Sequence, residues 1–298
     1  MKIVIAGGTG FVGKHITDFF IQNGHDVFIL TRSKKQSSQK QLHFVQWLTD
    51  DADPTKALEG ADTFINLAGK SINDRWTSET KKQILESRIS TTKAMYEIVE
   101  KLESKPSVYI NASAVGIYGT SLNDTFTEQS TKTGTDFLAE TVKKWEAEAE
   151  KIQTLGVRTV YTRFGIVLGE GGALPKMVQP YKLYAGGTVG SGNQWISWIH
   201  VKDLVRLIEF IIKTETISGP INATTPYPVS MKEFGQTIGQ FLGRPHWIPA
   251  PAFALKAMLG EMSILVLEGQ KVIPAKALEN DFNFSYSHLD EALSNILK

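Results

Sequence analysis

The 298-residue sequence contains no cysteine, which excludes disulfides, thiolate metal sites, iron–sulfur clusters and a cysteine nucleophile together. An excess of one charge is also missing. The 32 basic side chains face 31 acidic ones, for a net charge of +1, and like charges nowhere gather into a long block. Such a chain offers no overall field to a polyanion or an anionic surface, so neither nucleic acid nor a membrane is expected as a partner. Long hydrophobic runs are absent too: no window approaches the roughly 18 uninterrupted apolar residues of a membrane-spanning helix. The apolar opening, Met1 to Ala6, is too short for a signal peptide and reads as a first strand. A soluble protein of the reducing cytoplasm is the expectation, and 42% hydrophobic with 21% charged residues suits an ordinary globular chain.

Short β-branched or aromatic runs alternate with helical segments up to about residue 165, an order that implies a parallel sheet covered by helices on both faces. The runs predict strands at Lys2–Ala6, Asp26–Thr31, Leu42–Trp47, Thr63–Ala68, Ser107–Ala112 and Arg158–Phe164. Phe11, Val12, Ile16, Phe19 and Phe20 form one apolar stripe of a first helix. Glycines then crowd between Gly165 and Gly192, which predicts a loop-rich stretch. A helix near Val201–Lys213, a strand near Pro220–Thr225 and a helix carrying Met231, Phe234, Ile238 and Leu242 follow. The fold expected is a Rossmann-type, doubly wound parallel α/β sheet over residues 1–247. A C-terminal segment, 248–298, is too small to fold alone and should pack on it as a lobe.

Directly after the first strand stands Gly7-Gly8-Thr9-Gly10-Phe11-Val12-Gly13, opening the first helix. Glycines at this spacing allow a tight turn, close approach of backbone to a pyrophosphate, and close packing of helix on strand. The helix N-terminus supplies free N–H groups and partial positive charge. The acidic partner for an adenosine ribose is expected at the end of the second strand, about 20 residues past the glycines. Leu30-Thr31-Arg32-Ser33 stands there instead, without a carboxylate. A guanidinium beside a hydroxyl suits a 2′-phosphate, where charge-assisted hydrogen bonds are worth about 1.5–3 kcal/mol each. NADP is therefore expected over NAD; Lys34 and Lys35 read as plain surface charges.

These residues resemble the extended, epimerase-type branch of the short-chain dehydrogenase/reductase superfamily. The narrower resemblance is to epimerase family proteins of unassigned substrate with an extra C-terminal segment. It rests on Asn66-Leu67-Ala68-Gly69, Arg75-Trp76, Ser87-Arg88, Lys144-Trp145-Glu146, Gly165-Ile166-Val167-Leu168-Gly169, Gly190-Ser191-Gly192, Trp198-Ile199-His200 and Leu267-Glu268-Gly269-Gln270-Lys271-Val272-Ile273-Pro274. The resemblance implies Leu67, Ala68 and Gly69 on the nicotinamide-ribose side of the cofactor, and Arg88 as a cofactor or structural contact.

The superfamily's chemistry passes a proton through a tyrosine held by a serine and by a lysine four residues on. No Tyr-x-x-x-Lys occurs in this sequence. Counting back from Trp145-Glu146, the tyrosine position is Phe137 or Leu138 and the lysine position Thr141 or Val142. Ser113, at the carboxyl end of the fifth strand, and Tyr118 in the loop after it are the candidate replacements. Asp203 is expected to cap the helix that starts there, with His200 and Trp198 as packing groups. The stretch 169–195 is the expected cover of the cofactor face. No His-rich metal spacing or Gly-x-Ser-x-Gly elbow competes.

The activity these readings imply is that of an NADP-binding oxidoreductase or epimerase-like enzyme acting on a small molecule, with a homodimer as the candidate assembly. The alternative is an NADP(H)-binding sensor or scaffold that has lost turnover.

Overall fold

The apolar runs assemble into a seven-stranded sheet in the computed structural model, which describes residues 1–297. Its strands are β1 (Lys2–Ala6), β2 (Asp26–Thr31), β3 (Leu42–Gln46), β4 (Thr63–Asn66), β5 (Val108–Ala114), β6 (Arg158–Phe164) and β7 (Gly219–Ala223). All pair in parallel, in the order β7-β6-β5-β4-β1-β2-β3. Side chains alternate along β1: Ile3 and Ile5 join one core with Ile16 and Phe20, while Val4 and Ala6 join the other with Phe64, Met95 and Val99. Both faces are thus covered, as a buried parallel sheet requires. Each aliphatic side chain buried in this way contributes roughly 1.5–3 kcal/mol.

The helices that cover the sheet are set by their caps. Helix α1 (Phe11–Gln22) starts at Gly10 with no side-chain cap. In α2 (Ser78–Lys101) the Thr77 hydroxyl accepts from the Thr80 N–H at 3.1 Å. In α3 (Phe137–Glu150) the Asp136 carboxylate accepts from the Leu138 and Ala139 N–H groups. Such caps satisfy donors that no intrahelical carbonyl reaches.

Among the strand boundaries that differ from the sequence expectation, those of β4 and β5 have a local reason. Strand β4 stops at Asn66 rather than Ala68, because the Asn66 side chain accepts from the Ala68 N–H at 3.1 Å and turns the chain outward. Strand β5 runs on to Ala114, which pairs with Phe164 of β6.

The glycine-dense stretch is more ordered than predicted. Strand Ile166–Leu168 pairs with Trp198–His200, and residues Leu174–Lys182 form a helix. A Cβ at Gly169 or Gly171 would lie 2.7 or 2.6 Å from the Phe11 ring. These glycines are small because an aromatic ring fills the space beside them. Residues 169–195 do not line the groove described below.

The C-terminal segment is woven into the main cores. Ala277 and Phe282 join the core that holds Leu204 and Ile208 of α4 (Val201–Lys213). Leu289, Ala292 and Leu293 join Trp198 and Phe234 in another, and Lys271–Val272 pairs in parallel with Thr125–Phe126. No helix among the described residues is long and apolar enough to cross a membrane.

The cap of α4 is His200, not Asp203: its Nδ1 accepts from the Lys202 N–H at 3.0 Å. Asp203, fully buried, instead accepts from the Ser285 and Tyr286 N–H groups at 2.9 and 2.8 Å and pins the C-terminal segment. His200 is 1% exposed, its ring centroid 3.9 Å from that of Tyr286. Burial, with Lys202 adding to it, pushes the imidazole down from 6.5 to about 4. The unfolded chain therefore takes up this proton first. Stability holds above pH 6.5 and falls as the pH drops toward 4. Urea midpoints compared at pH 7 and pH 5 should show the loss in the native protein. His200→Asn, which keeps a capping acceptor that does not titrate, should flatten it.

Candidate functional site

Strand order reverses at β1: β2 and β3 lie to one side, β4 to β7 to the other. In an open α/β sheet, the carboxyl ends at such a point diverge and leave a crevice. A groove of about 1430 Å³ lies there, lined by Gly7, Thr9 and Gly10 after β1, by Leu67 to Lys70 after β4, and by Ser87, Ser90 and Thr91 of α2. Its far end is formed by Thr31, Arg32, Ser33 and Lys35 after β2, with Trp47 and Leu48 after β3.

The glycine turn is held by contacts that exclude side chains. Gly7 has φ +80°, and a Cβ there would stand 2.9 Å from the Leu67 carbonyl carbon. At Gly13 a Cβ would fall 2.2 Å from the Gly7 carbonyl oxygen. The first turn of α1, Phe11 to Gly13, therefore directs uncapped N–H groups at the groove without an intervening side chain. Phe11 does not line the groove, and its ring turns away to Gly169, Gly171 and Gly172. Val12 and Gly13 likewise stand behind the lining.

The opposite wall is set by a buried amide. Asn66 Nδ2 donates to Thr92 Oγ1 at 3.0 Å and to Asn111 Oδ1 at 2.9 Å, while its Oδ1 shapes the Leu67–Ala68 turn. Trp145 Nε1 also donates to Thr92, and the Tyr109 hydroxyl donates to Asn111. Such networks hold their members in one arrangement because an unpaired amide is costly at this depth.

Ser113 and Tyr118 do come together, but through groups absent from the sequence expectation. Ser113 Oγ donates to Glu146 Oε1 at 2.5 Å. Glu146 is gripped by Arg163, Nε to Oε1 at 2.9 Å and Nη2 to Oε2 at 2.8 Å. Arg163 Nη1 donates to the Tyr118 hydroxyl at 2.9 Å, and that hydroxyl donates to Asn222 Oδ1 at 2.8 Å. Asn222 and Lys276 both donate backbone N–H groups to Glu128. Ser113 is 3% exposed and Tyr118 2%, and neither lines the groove. Burial pushes the Tyr118 phenol up, against the opposing pull of Arg163. With its hydrogen bonds made inward and its ring stacked on Phe126, Tyr118 is a packing group that ties β5 to β6 and β7.

The tyrosine and lysine positions of the superfamily hold no substitute. Leu138 packs on Gly116, and Val142 lies in an apolar cluster with Val115, Ile117 and Phe126. Phe137 meets the Trp76 ring edge-on at 5.2 Å, and the Thr141 hydroxyl donates to its own helix at the Phe137 carbonyl.

Arg88 stands beneath the Gly69–Lys70 stretch. Its Nη1 donates to the Lys70 and Ile84 carbonyls at 3.1 and 2.9 Å, and its guanidinium lies 5.1 Å from the Trp145 ring centroid. Burial lowers it to about 10, so it stays charged at neutral pH. Lys35, read from sequence as a surface charge, instead lines the groove, its Nζ 6.0 Å from the Phe44 ring centroid. Only the closing of β3 against β2 places it there. Arg163 and Trp47 were also beyond reach of sequence reasoning, since no local pattern marks them, and Glu146 stood in the Lys144-Trp145-Glu146 stretch with no role attached.

The NAD dependent epimerase/dehydratase family model matches residues 3–227. The chain belongs to this family. A domain of unknown function matches residues 250–296. The epimerase family protein YfhF of Bacillus subtilis (strain 168) is 50% identical over 297 residues, covering 100% of this chain and 98% of that one. Epimerase family protein SA0724 of Staphylococcus aureus (strain N315) is 41% identical over 298 residues, covering 100% and 99%. Among solved structures, the human epimerase family protein SDR39U1 (isoform 2), crystallised with NADPH, superposes with a TM-score of 0.89. It is 32% identical, over 99% of both chains.

Two substitutions test the buried network. Arg163→Met leaves the Glu146 carboxylate buried without its partner and should cost about 3–5 kcal/mol of unfolding free energy. Tyr118→Phe strands Asn222 Oδ1 and one Arg163 N–H and should cost about 1–3 kcal/mol. Urea denaturation of both variants checks the values.

Proposed function

We propose that this protein is an NADP(H)-dependent oxidoreductase or epimerase-like enzyme of the cytoplasm that acts on a small molecule. The observation that carries the reading is the far end of the groove, where Arg32, Ser33 and Lys35 stand after β2 and no carboxylate does. A carboxylate there would accept from a ribose 2′-hydroxyl, whereas two cations and hydroxyls suit a 2′-phosphate. The presence of NADPH in the human relative's crystals supports the same choice.

The chain fits a dinucleotide. The glycine turn is a cradle that a Cβ at Gly7 or Gly13 would fill, and the uncapped N-terminus of α1 suits a pyrophosphate. Thr9 and Gly10 border the pyrophosphate, Thr31 and Arg32 with Lys35 take the adenosine 2′-phosphate, and Leu67, Ala68 and Gly69 flank the nicotinamide ribose. When bound, the cofactor supplies or accepts a hydride. In this reading residues 1–247 carry the groove. Residues 248–298 are the family-specific segment that reaches the substrate side, where Glu261 pairs with Lys81 of α2 at 2.6 Å.

A specific observation favours the second reading, an NADP(H)-binding sensor or scaffold. The acid–base positions are apolar at Leu138 and Val142, and the Ser113 and Tyr118 hydroxyls are spent on the buried network. The two readings part on isotope exchange at the nicotinamide C4 in the presence of cell extract as a source of substrate. Exchange supports the enzyme; tight cofactor binding with none sinks it.

Calorimetric titration with NADPH and with NADH tests the cofactor choice. NADPH should bind at least about tenfold more tightly, a difference of roughly 1.4 kcal/mol. Arg32→Ala should erase most of that preference by weakening NADPH alone. Equal binding of the two cofactors by the native protein would refute the 2′-phosphate reading.

A further inference from the structure

The eleven large apolar side chains that stand exposed among the described residues are not spread evenly. Six of them, Leu183, Tyr184, Trp247, Ile248, Phe253 and Met258, lie in two short segments, and the other five are scattered from Met1 to Leu278. Single exposed hydrophobic residues need no explanation, whereas a gathering of them marks a surface that something covers.

The two segments are joined through their backbones. The Trp247 and Ile248 N–H groups donate to the Gly186 carbonyl at 2.9 and 3.1 Å, the Ala250 N–H to the Thr188 carbonyl at 2.8 Å, and the Gly190 N–H to the Ala250 carbonyl at 2.9 Å. Trp247 Nε1 donates to the Tyr184 carbonyl at 2.8 Å, so this residue stands 66% exposed with the one polar group of its ring already satisfied. The helix Ala252–Leu259 follows directly. Its sequence is apolar except for Lys256, yet none of its residues is buried, and Phe253 and Met258 are 77% and 68% exposed. A helix apolar on all sides is ordinarily covered. Beyond it the chain is anchored again, where Glu261 pairs with Lys81 and the Val266 carbonyl accepts from Gln194 Nε2 at 2.7 Å.

Charge decides what the covering partner is. No aspartate or glutamate occurs from Gly171 to Lys202 or from Phe234 to Gly260. The cations of the two segments are Lys182, Arg244 and Lys256, and the Arg244 guanidinium lies 4.1 Å from the Tyr184 ring centroid. A second copy of the same surface, docked symmetrically, would bring cations to cations with no carboxylate between them. Anionic lipid headgroups meet those cations directly, and aromatic and aliphatic side chains among basic ones suit the headgroup level of a bilayer. The whole-chain balance of +1, which speaks against a membrane partner, averages these segments with acidic residues elsewhere.

We propose that residues 182–190 and 244–260 form a docking surface for an anionic phospholipid bilayer. Trp247, Ile248, Phe253 and Met258 enter the interface, and Lys182, Arg244 and Lys256 meet lipid phosphates. The attachment is peripheral, since no helix among the described residues is long and apolar enough to cross a membrane. None of these residues lines the groove, so the docking surface stands apart from the cofactor reading.

The test sediments the full-length protein with vesicles of phosphatidylcholine alone and of phosphatidylcholine mixed with phosphatidylglycerol, at low and at raised salt. Binding to the mixed vesicles should be at least about tenfold tighter than to the neutral ones, and raised salt should weaken it. Trp247→Ser combined with Phe253→Ser should weaken binding to the mixed vesicles by at least about tenfold. Lys182→Gln combined with Lys256→Gln should narrow the difference between the two vesicle types. Both lysines are exposed, so this pair keeps the test open should the first variant fail to fold, and urea midpoints close to native show which variants are folded.

The proposal is overturned if the native protein binds the mixed vesicles no better than the neutral ones, or if the folded variants bind them like the native protein. Sedimentation velocity without vesicles should show the same assembly state in the native protein and in the Trp247→Ser, Phe253→Ser variant. A dimer that this variant dissolves would give the surface to a second copy and overturn the proposal.

Discussion

The contact on which this protein's site depends is the approach of two turns, one after β1 and one after β4. Gly7 comes so near the Leu67 carbonyl that no side chain fits between them, and Gly13 brings α1 onto the same turn. Because the strand order reverses between these two strands, their carboxyl ends part just beyond the contact and the groove opens there. Everything that shapes the groove hangs from this point. Asn66 fixes the far turn from below, α1 aims its first N–H groups from one side, and α2 supplies the wall.

Below the groove the structure has spent polar groups on holding strands together. Ser113, Glu146, Arg163, Tyr118 and Asn222 form one connected chain of hydrogen bonds from β5 through α3 and β6 to β7. A buried charge pair is tolerated because both partners are fully bonded, and it gives direction to packing that apolar contacts alone would leave slack. The same bonds withdraw the two hydroxyls best placed in sequence for acid–base work. Arg88 is held differently: its guanidinium donates to two backbone carbonyls, of Lys70 and Ile84, and to no carboxylate.

Much of this was legible in the sequence because it is local. A strand, three glycines and an apolar helical stripe within Lys2 to Phe20 specify the turn, since backbone clashes act between near neighbours. The absence of a carboxylate after β2 and of a Tyr-x-x-x-Lys pair can be read directly. Misreadings came where a long-range partner decides. Gly169 to Gly172 suggested a free loop, but Phe11, more than 150 residues earlier in the chain, fills the space beside them. Asp203 had the position of a cap, yet its carboxylate meets backbone N–H groups of Ser285 and Tyr286.

The sequence by itself determined the class of fold, the glycine turn and the basic end of the groove, because periodicity, glycine sterics and charge act over a few residues. Only the tertiary structure decided which polar side chains are spent and which are free. Hydrogen-bond capacity is a property of the partners a group finds, and Tyr118 finds its own, Arg163 and Asn222, on strands far apart in the chain.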